Sequence, residues 1–166
     1  MEFFVVPIPQ LRQVLGLVVT FMAAGIGSAT SINAEPFYIQ LVCPAWAPPA
    51  SIFGPAWTAR YVLMGVAAWL VWRCGGFRAA RTPLSIFVVQ LAINVWWSWV
   101  FFGWHLGALA FTDIRLLWAL IVATVVTFWR VRPLAGALLM PYLLWMSFAA
   151  VLNYQVWQLN PQLLGS

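Results

Sequence analysis

The chain has no lysine, three acidic residues, one histidine and two cysteines among 166 positions. Hydrolytic or general acid–base catalysis needs a carboxylate pair, or a nucleophile beside a base. Glu2, Glu35, Asp113 and His105 supply neither within an apolar segment. A zinc or iron–sulfur centre needs a cluster of ligands, which Cys43, Cys74 and His105 do not form by spacing, so no metal and no cofactor is expected. Proton- or ion-coupled transport calls for intramembrane acids and commonly an inverted repeat, and neither pattern is present.

What remains is apolar. Hydrophobic residues make up 64% and charged residues 7%, and the mean hydropathy is +0.93. A chain of this size cannot hide so much apolar surface in its own core, so lipid must be its solvent. Runs of about 20 mainly apolar residues, enough to cross a hydrocarbon core of roughly 30 Å, recur along the sequence. The net charge of +5 is carried by arginines. Most of these flank apolar runs, where they read as topology anchors rather than a nucleic-acid surface. Cys43 and Cys74 lie at opposite ends of one predicted helix, about 30 Å apart. A disulfide would need their Cα atoms within about 7 Å.

These features predict an all-α integral membrane bundle of five transmembrane helices in a single domain over residues 1–166. The helices are expected at about residues 9–30, 52–73, 83–103, 107–129 and 134–158, with a loop at 31–51. The first carries the small residues Ala23, Ala24, Gly25, Gly27, Ser28 and Ala29, which would let helix backbones approach closely in lipid. A cleaved signal peptide is the other reading of that run, and an apolar, acidic N-terminus speaks against it. The loop is proline-rich, with Phe37, Tyr38 and Trp46 arguing for order; a loop of this length in a compact chain is usually functional or disordered. It is expected to fold over the membrane surface; an interfacial aromatic belt is the plainer alternative. Pro55 suits the first turn of the next helix.

Arg12, Arg73, Arg78, Arg81, Arg130 and Arg132 fall on the side of the N-terminus, and the opposite loops and C-terminal tail contain no arginine. That asymmetry puts the N-terminus inside and favours a bacterial inner membrane, with an outer membrane as the alternative.

Helical spacing aligns Trp57, Tyr61 and Met64 on one face, Gln90, Asn94, Trp97 and Phe101 on another, and Trp145, Ala149 and Asn153 on a third. An amide in hydrocarbon must face protein, a cavity or another amide. Two readings stay open. The amides could be interhelical glue, or they could line a pocket for a flat apolar ligand with a few polar edges.

Three blocks resemble the TspO family, the translocator proteins or peripheral benzodiazepine receptors. The first is Pro44, Trp46, Pro48 and Pro49 leading into Phe53, Gly54, Pro55, Trp57, Thr58 and Tyr61. The second holds Gln90, Leu91, Asn94, Trp97, Phe101, Phe102 and Gly103; the third Pro141, Tyr142, Trp145, Phe148, Ala149, Leu152, Asn153, Tyr154 and Trp157. The resemblance implies a five-helix bundle, commonly a homodimer in the lipid bilayer. It also implies a cavity under the first loop that binds porphyrins, notably protoporphyrin IX, and also sterols and benzodiazepine-site ligands. Trp57, Tyr61, Asn94, Trp97, Trp145 and Ala149 match its cavity-lining positions, and Trp46 matches a tryptophan above it. Trp57 and Trp145 match the pair implicated in light-dependent porphyrin degradation, the only form of turnover expected. Phe101 and Asn153 complete the candidate ligand-binding set by spacing. Gln158 replaces the basic residue that ends the family's sterol segment, Cys43 stands where lysine is common, and Arg60 where an apolar residue is usual.

Arg60 should lie at the depth of Asp113. It is expected to snorkel to the outer interface and to pair with Asp113 or a backbone amide, or alternatively to meet a porphyrin propionate. His105 is expected at the interface rather than as a haem ligand. A bare channel or structural subunit is the remaining class, and it would show no saturable porphyrin quenching of tryptophan.

Overall fold

A computed structural model describes residues 34–165. The helix expected at 9–30, with Arg12 and the small-residue run, lies outside the described residues.

A short helix α1 (Ala34–Gln40) is followed by a proline-rich segment and a 3-10 turn at Ala50–Ile52. Then come α2 (Phe53–Trp72), the one-turn α3 (Gly76–Ala79), α4 (Arg81–Ser98) with a π-helical continuation at Trp99–Gly103, and α5 (Gly107–Val131). The short α6 (Pro133–Leu138) precedes α7 (Met140–Leu159) and a terminal turn α8 (Pro161–Leu164). Among the described residues, three helical stretches are long and apolar enough to cross a membrane: Arg81–Gly103, Gly107–Val131 and Pro133–Leu159. Helix α2 has 20 residues, or about 30 Å of rise. The all-α membrane class is as expected.

Helix α5 is the hub, packing against α4, α6 and α7 and touching α2. Ala110, Ile114, Leu117, Ile121 and Phe128 are wholly buried along one of its faces, at the spacing of a helical stripe. Leu116, Leu144 and Val151 are more than half exposed, as lipid-facing side chains should be. Gly136 belongs to this packing: a Cβ there would lie 2.7 Å from the Trp129 ring, so the residue is a close contact within the chain.

The turn between α2 and α3 uses Gly75 and Gly76 at φ 126° and 70°, values that side-chain-bearing residues rarely adopt. The last long helix is interrupted at Leu139, where the sequence suggests one continuous element. Pro141 explains the break, because it has no N–H to donate and its ring crowds the carbonyl of Ala137. The loop also holds more structure than expected, since α1 forms within it. Arg73, Arg78, Arg81, Arg130 and Arg132 gather in the turns at one end of the bundle, and the lid segment, His105 and α8 in those at the other.

Candidate ligand cavity

Helices α2 and α7 face each other without close backbone approach, and side chains fill the gap. From α2 come Phe53, Trp57 and Arg60, three positions on one face; α7 contributes Trp145, Met146 and Ala149. Helix α4 adds Asn94, Trp97 and Ser98, the π turn adds Phe102, and Ile114 of α5 closes the floor. These residues enclose about 40 Å³, room for a few water-sized spheres and far below the roughly 300–1,000 Å³ of typical ligand pockets. The cavity is therefore too small for a ligand of that size in this conformation.

The π turn shapes one wall. Its wider winding is visible in the bond from Trp104 N–H to Trp99 O at 2.9 Å, five residues back. Trp97 stacks on Phe101 at 5.3 Å and 9°, and Phe102 stands edge-on to both rings.

Two of the three amides are spent between helices. Gln90 Nε2 donates to the Tyr142 hydroxyl at 2.9 Å, and Asn94 Nδ2 donates to the Tyr61 hydroxyl at 3.1 Å. Each such bond contributes about 0.6–2 kcal/mol in a membrane protein. Asn94 also lines the cavity, so glue and lining coexist in one side chain. Asn153 is buried with neither amide atom bonded among the described residues.

Arg60 departs from expectation. It is 7% exposed, and its guanidinium carbon lies 5.0, 5.2 and 5.6 Å from the ring centres of Tyr61, Tyr142 and Trp57. Its Nη1 meets Met146 Sδ at 3.7 Å, and its Nε has no acceptor among the described residues. Cation–π contacts of this kind stabilise by about 0.5–2 kcal/mol each, which draws the side chain toward Tyr142 instead of the interface. The expected pair with Asp113 does not form; Asp113 Oδ2 is buried and has no partner among the described residues. The reason is azimuth. Ile114 faces the cavity, and its neighbour Asp113 is turned about 100° around α5.

The lid is fastened at several points. Phe37 of α1 stacks on His105 at 4.1 Å and 26°, and His105 holds the left-handed φ of 56° in the turn before α5. Tyr38 donates to Pro48 O at 3.2 Å; burial, with the Cys43 thiol beside it, pushes the phenol's pKa up, so it remains a donor. Trp46 is half exposed and edge-on to Phe148 at 5.6 Å.

Of the residues singled out by sequence, Trp57, Asn94, Trp97, Trp145 and Ala149 share the cavity wall. Tyr61 stands behind Asn94, Phe101 behind Trp97, and Trp46 on the lid. Asn153 is not among the lining residues. The candidate set from sequence missed Phe53, Ser98, Phe102, Ile114 and Met146 in the wall and Asn160 beneath the lid. Ser98 stands four positions after Asn94, and Met146 three before Ala149 and seven before Asn153, helical spacings that could have flagged both.

The TspO/MBR family model matches residues 14–158. The chain belongs to the TspO/MBR family. Among TspO relatives, the tryptophan-rich protein TspO of Chlorobaculum tepidum is 39% identical over 143 residues, covering 84% of this chain and 90% of that protein. The translocator protein of Homo sapiens is 41% identical over 126 residues, 75% of each chain. The tryptophan-rich sensory protein of Cereibacter sphaeroides is 36% identical over 147 residues, 87% of this chain and 91% of its own. Membership in the TspO family and the long apolar helices together make this an integral membrane protein.

Proposed function

We propose that the protein is a receptor or transporter-like TspO protein that binds tetrapyrroles such as protoporphyrin IX in the cavity beneath the lid. The observation that carries the reading is the wall itself: three indoles, Trp57, Trp97 and Trp145, converge on one space with few polar groups. Aromatic walls bind flat apolar ligands by area, and a few donors orient them. The small volume requires the lid and ring side chains to move on entry. Titration of tryptophan fluorescence with protoporphyrin IX, with cholesterol in parallel, tests this. Saturable quenching by porphyrin is expected, and its absence would leave a structural subunit or channel as the better account.

Trp57 and Trp145 line the same cavity, which favours light-driven porphyrin oxidation by dioxygen as a second reading. Illumination of the complex should bleach the porphyrin absorbance, and bleaching that persists at the same rate in Trp57→Phe/Trp145→Phe would remove the two indoles from the mechanism. The proposal extends to a homodimer in a bacterial inner membrane, with the arginine-rich end inside; cysteine labelling from either side tests the orientation, and cross-linking in the bilayer the dimer.

A further inference from the structure

Arg60 is a cation in the cavity wall with no counter-charge among the described residues. It is 93% buried by its 7% exposure, faces three aromatic rings and the Met146 sulfur, and leaves Nε unbonded. The acid at similar depth, Asp113, does not pair with it. Trp97, also in the wall, keeps a second buried N–H without an acceptor among the described residues. Among the described residues, the wall's fully buried side-chain polar atoms without a partner are thus both donors, one of them on a positive group.

A cation with only a structural role would have an easier place to go. Arg60 is the eighth residue of α2, about 10 Å of helix rise from the lid end, and an arginine stem could carry its head toward that interface. It turns inward to Tyr142 instead. Rings and a thioether hold the planar fork in place without neutralising it, so little side-chain freedom remains to be lost when an anion arrives. A neutral ligand would leave the charge uncompensated, and an anionic one would compensate it.

We infer that Arg60 is the anion-binding residue of the cavity, so that the protein selects flat apolar ligands bearing a carboxylate, held by a charge-assisted hydrogen bond from the guanidinium. The inference rests on the ligand-binding reading above and names the ligand group that is recognised.

The test compares protoporphyrin IX with its dimethyl ester, which keeps the ring and caps both carboxylates, by fluorescence quenching in the same micelles. The wild-type protein should bind the free acid on the order of tenfold more tightly. Arg60→Met, which keeps an unbranched apolar stem, should bring the two affinities to near parity by removing the free acid's advantage. Equal wild-type affinities would overturn the inference, and that comparison needs no variant to fold. A preference retained in Arg60→Met would overturn it as well. If neither porphyrin quenches saturably, the porphyrin reading fails by itself. A pyrene carboxylate against its methyl ester then decides the role of Arg60 separately, with no preference for the acid counting against it.

Discussion

Asn160 grips both backbone groups of Val42: its Oδ1 accepts the Val42 N–H and its Nδ2 donates to the Val42 carbonyl, each at 2.8 Å. The two residues are 118 positions apart, so the end of the last long helix is tied directly to the lid. Asn160 Nδ2 also donates to Val156 O at 2.7 Å, which holds the amide in place.

Asn160→Ala is predicted to loosen the lid without unfolding the bundle. Losing these bonds should cost about 1–3 kcal/mol locally, and amide exchange across residues 37–53 should rise tenfold or more while α5 stays protected. Unchanged exchange in that segment would show that the lid is held by its aromatic contacts alone.

Gln90 and Tyr142 are expected to act as a pair. Tyr142→Phe should destabilise by roughly 1–3 kcal/mol, because it strands a buried amide. Adding Gln90→Leu should cost less than the sum of the two single changes. Thermal or denaturant unfolding in micelles measures the coupling; strict additivity would argue that the bond contributes nothing.

Trp97→Phe should be nearly neutral for stability, within about 1.5 kcal/mol, because the indole N–H has no partner to lose and an aromatic ring still faces Phe101. Porphyrin affinity should nevertheless fall, since a donor and stacking area leave the wall. A large drop in melting temperature would instead mark Trp97 as a packing residue first.

Gly136→Ala is predicted to destabilise by about 1–3 kcal/mol, because the added methyl would lie 2.9 Å from the Trp129 backbone, which cannot swing aside as a side-chain end can. Gly107→Ala should behave similarly against Trp157. A melting temperature equal to wild type for Gly136→Ala would mean that α5 and α6 can separate freely.

Much of the wall is legible in the sequence. Spacing put Trp57, Asn94, Trp97, Trp145 and Ala149 on helix faces that do converge. The break at Leu139 could have been read from Pro141, and α1 was hidden because three prolines downstream dominate the segment's composition. Arg60 could not be placed, because depth along α2 and Asp113's depth along α5 were readable, whereas the angle between their faces was not.

By itself the sequence determined the solvent, the approximate helix lengths, the charged end and the residue faces. These follow from local quantities: apolar run length, the 3.6-residue period and the placement of arginine. Tertiary structure alone decided the partners. Gln90 met Tyr142, Asn94 met Tyr61, Arg60 met rings rather than an acid, and Asn160 met Val42. Partner choice depends on how helices rotate and slide against one another to fill space, and one sequence read residue by residue carries no measure of that rotation.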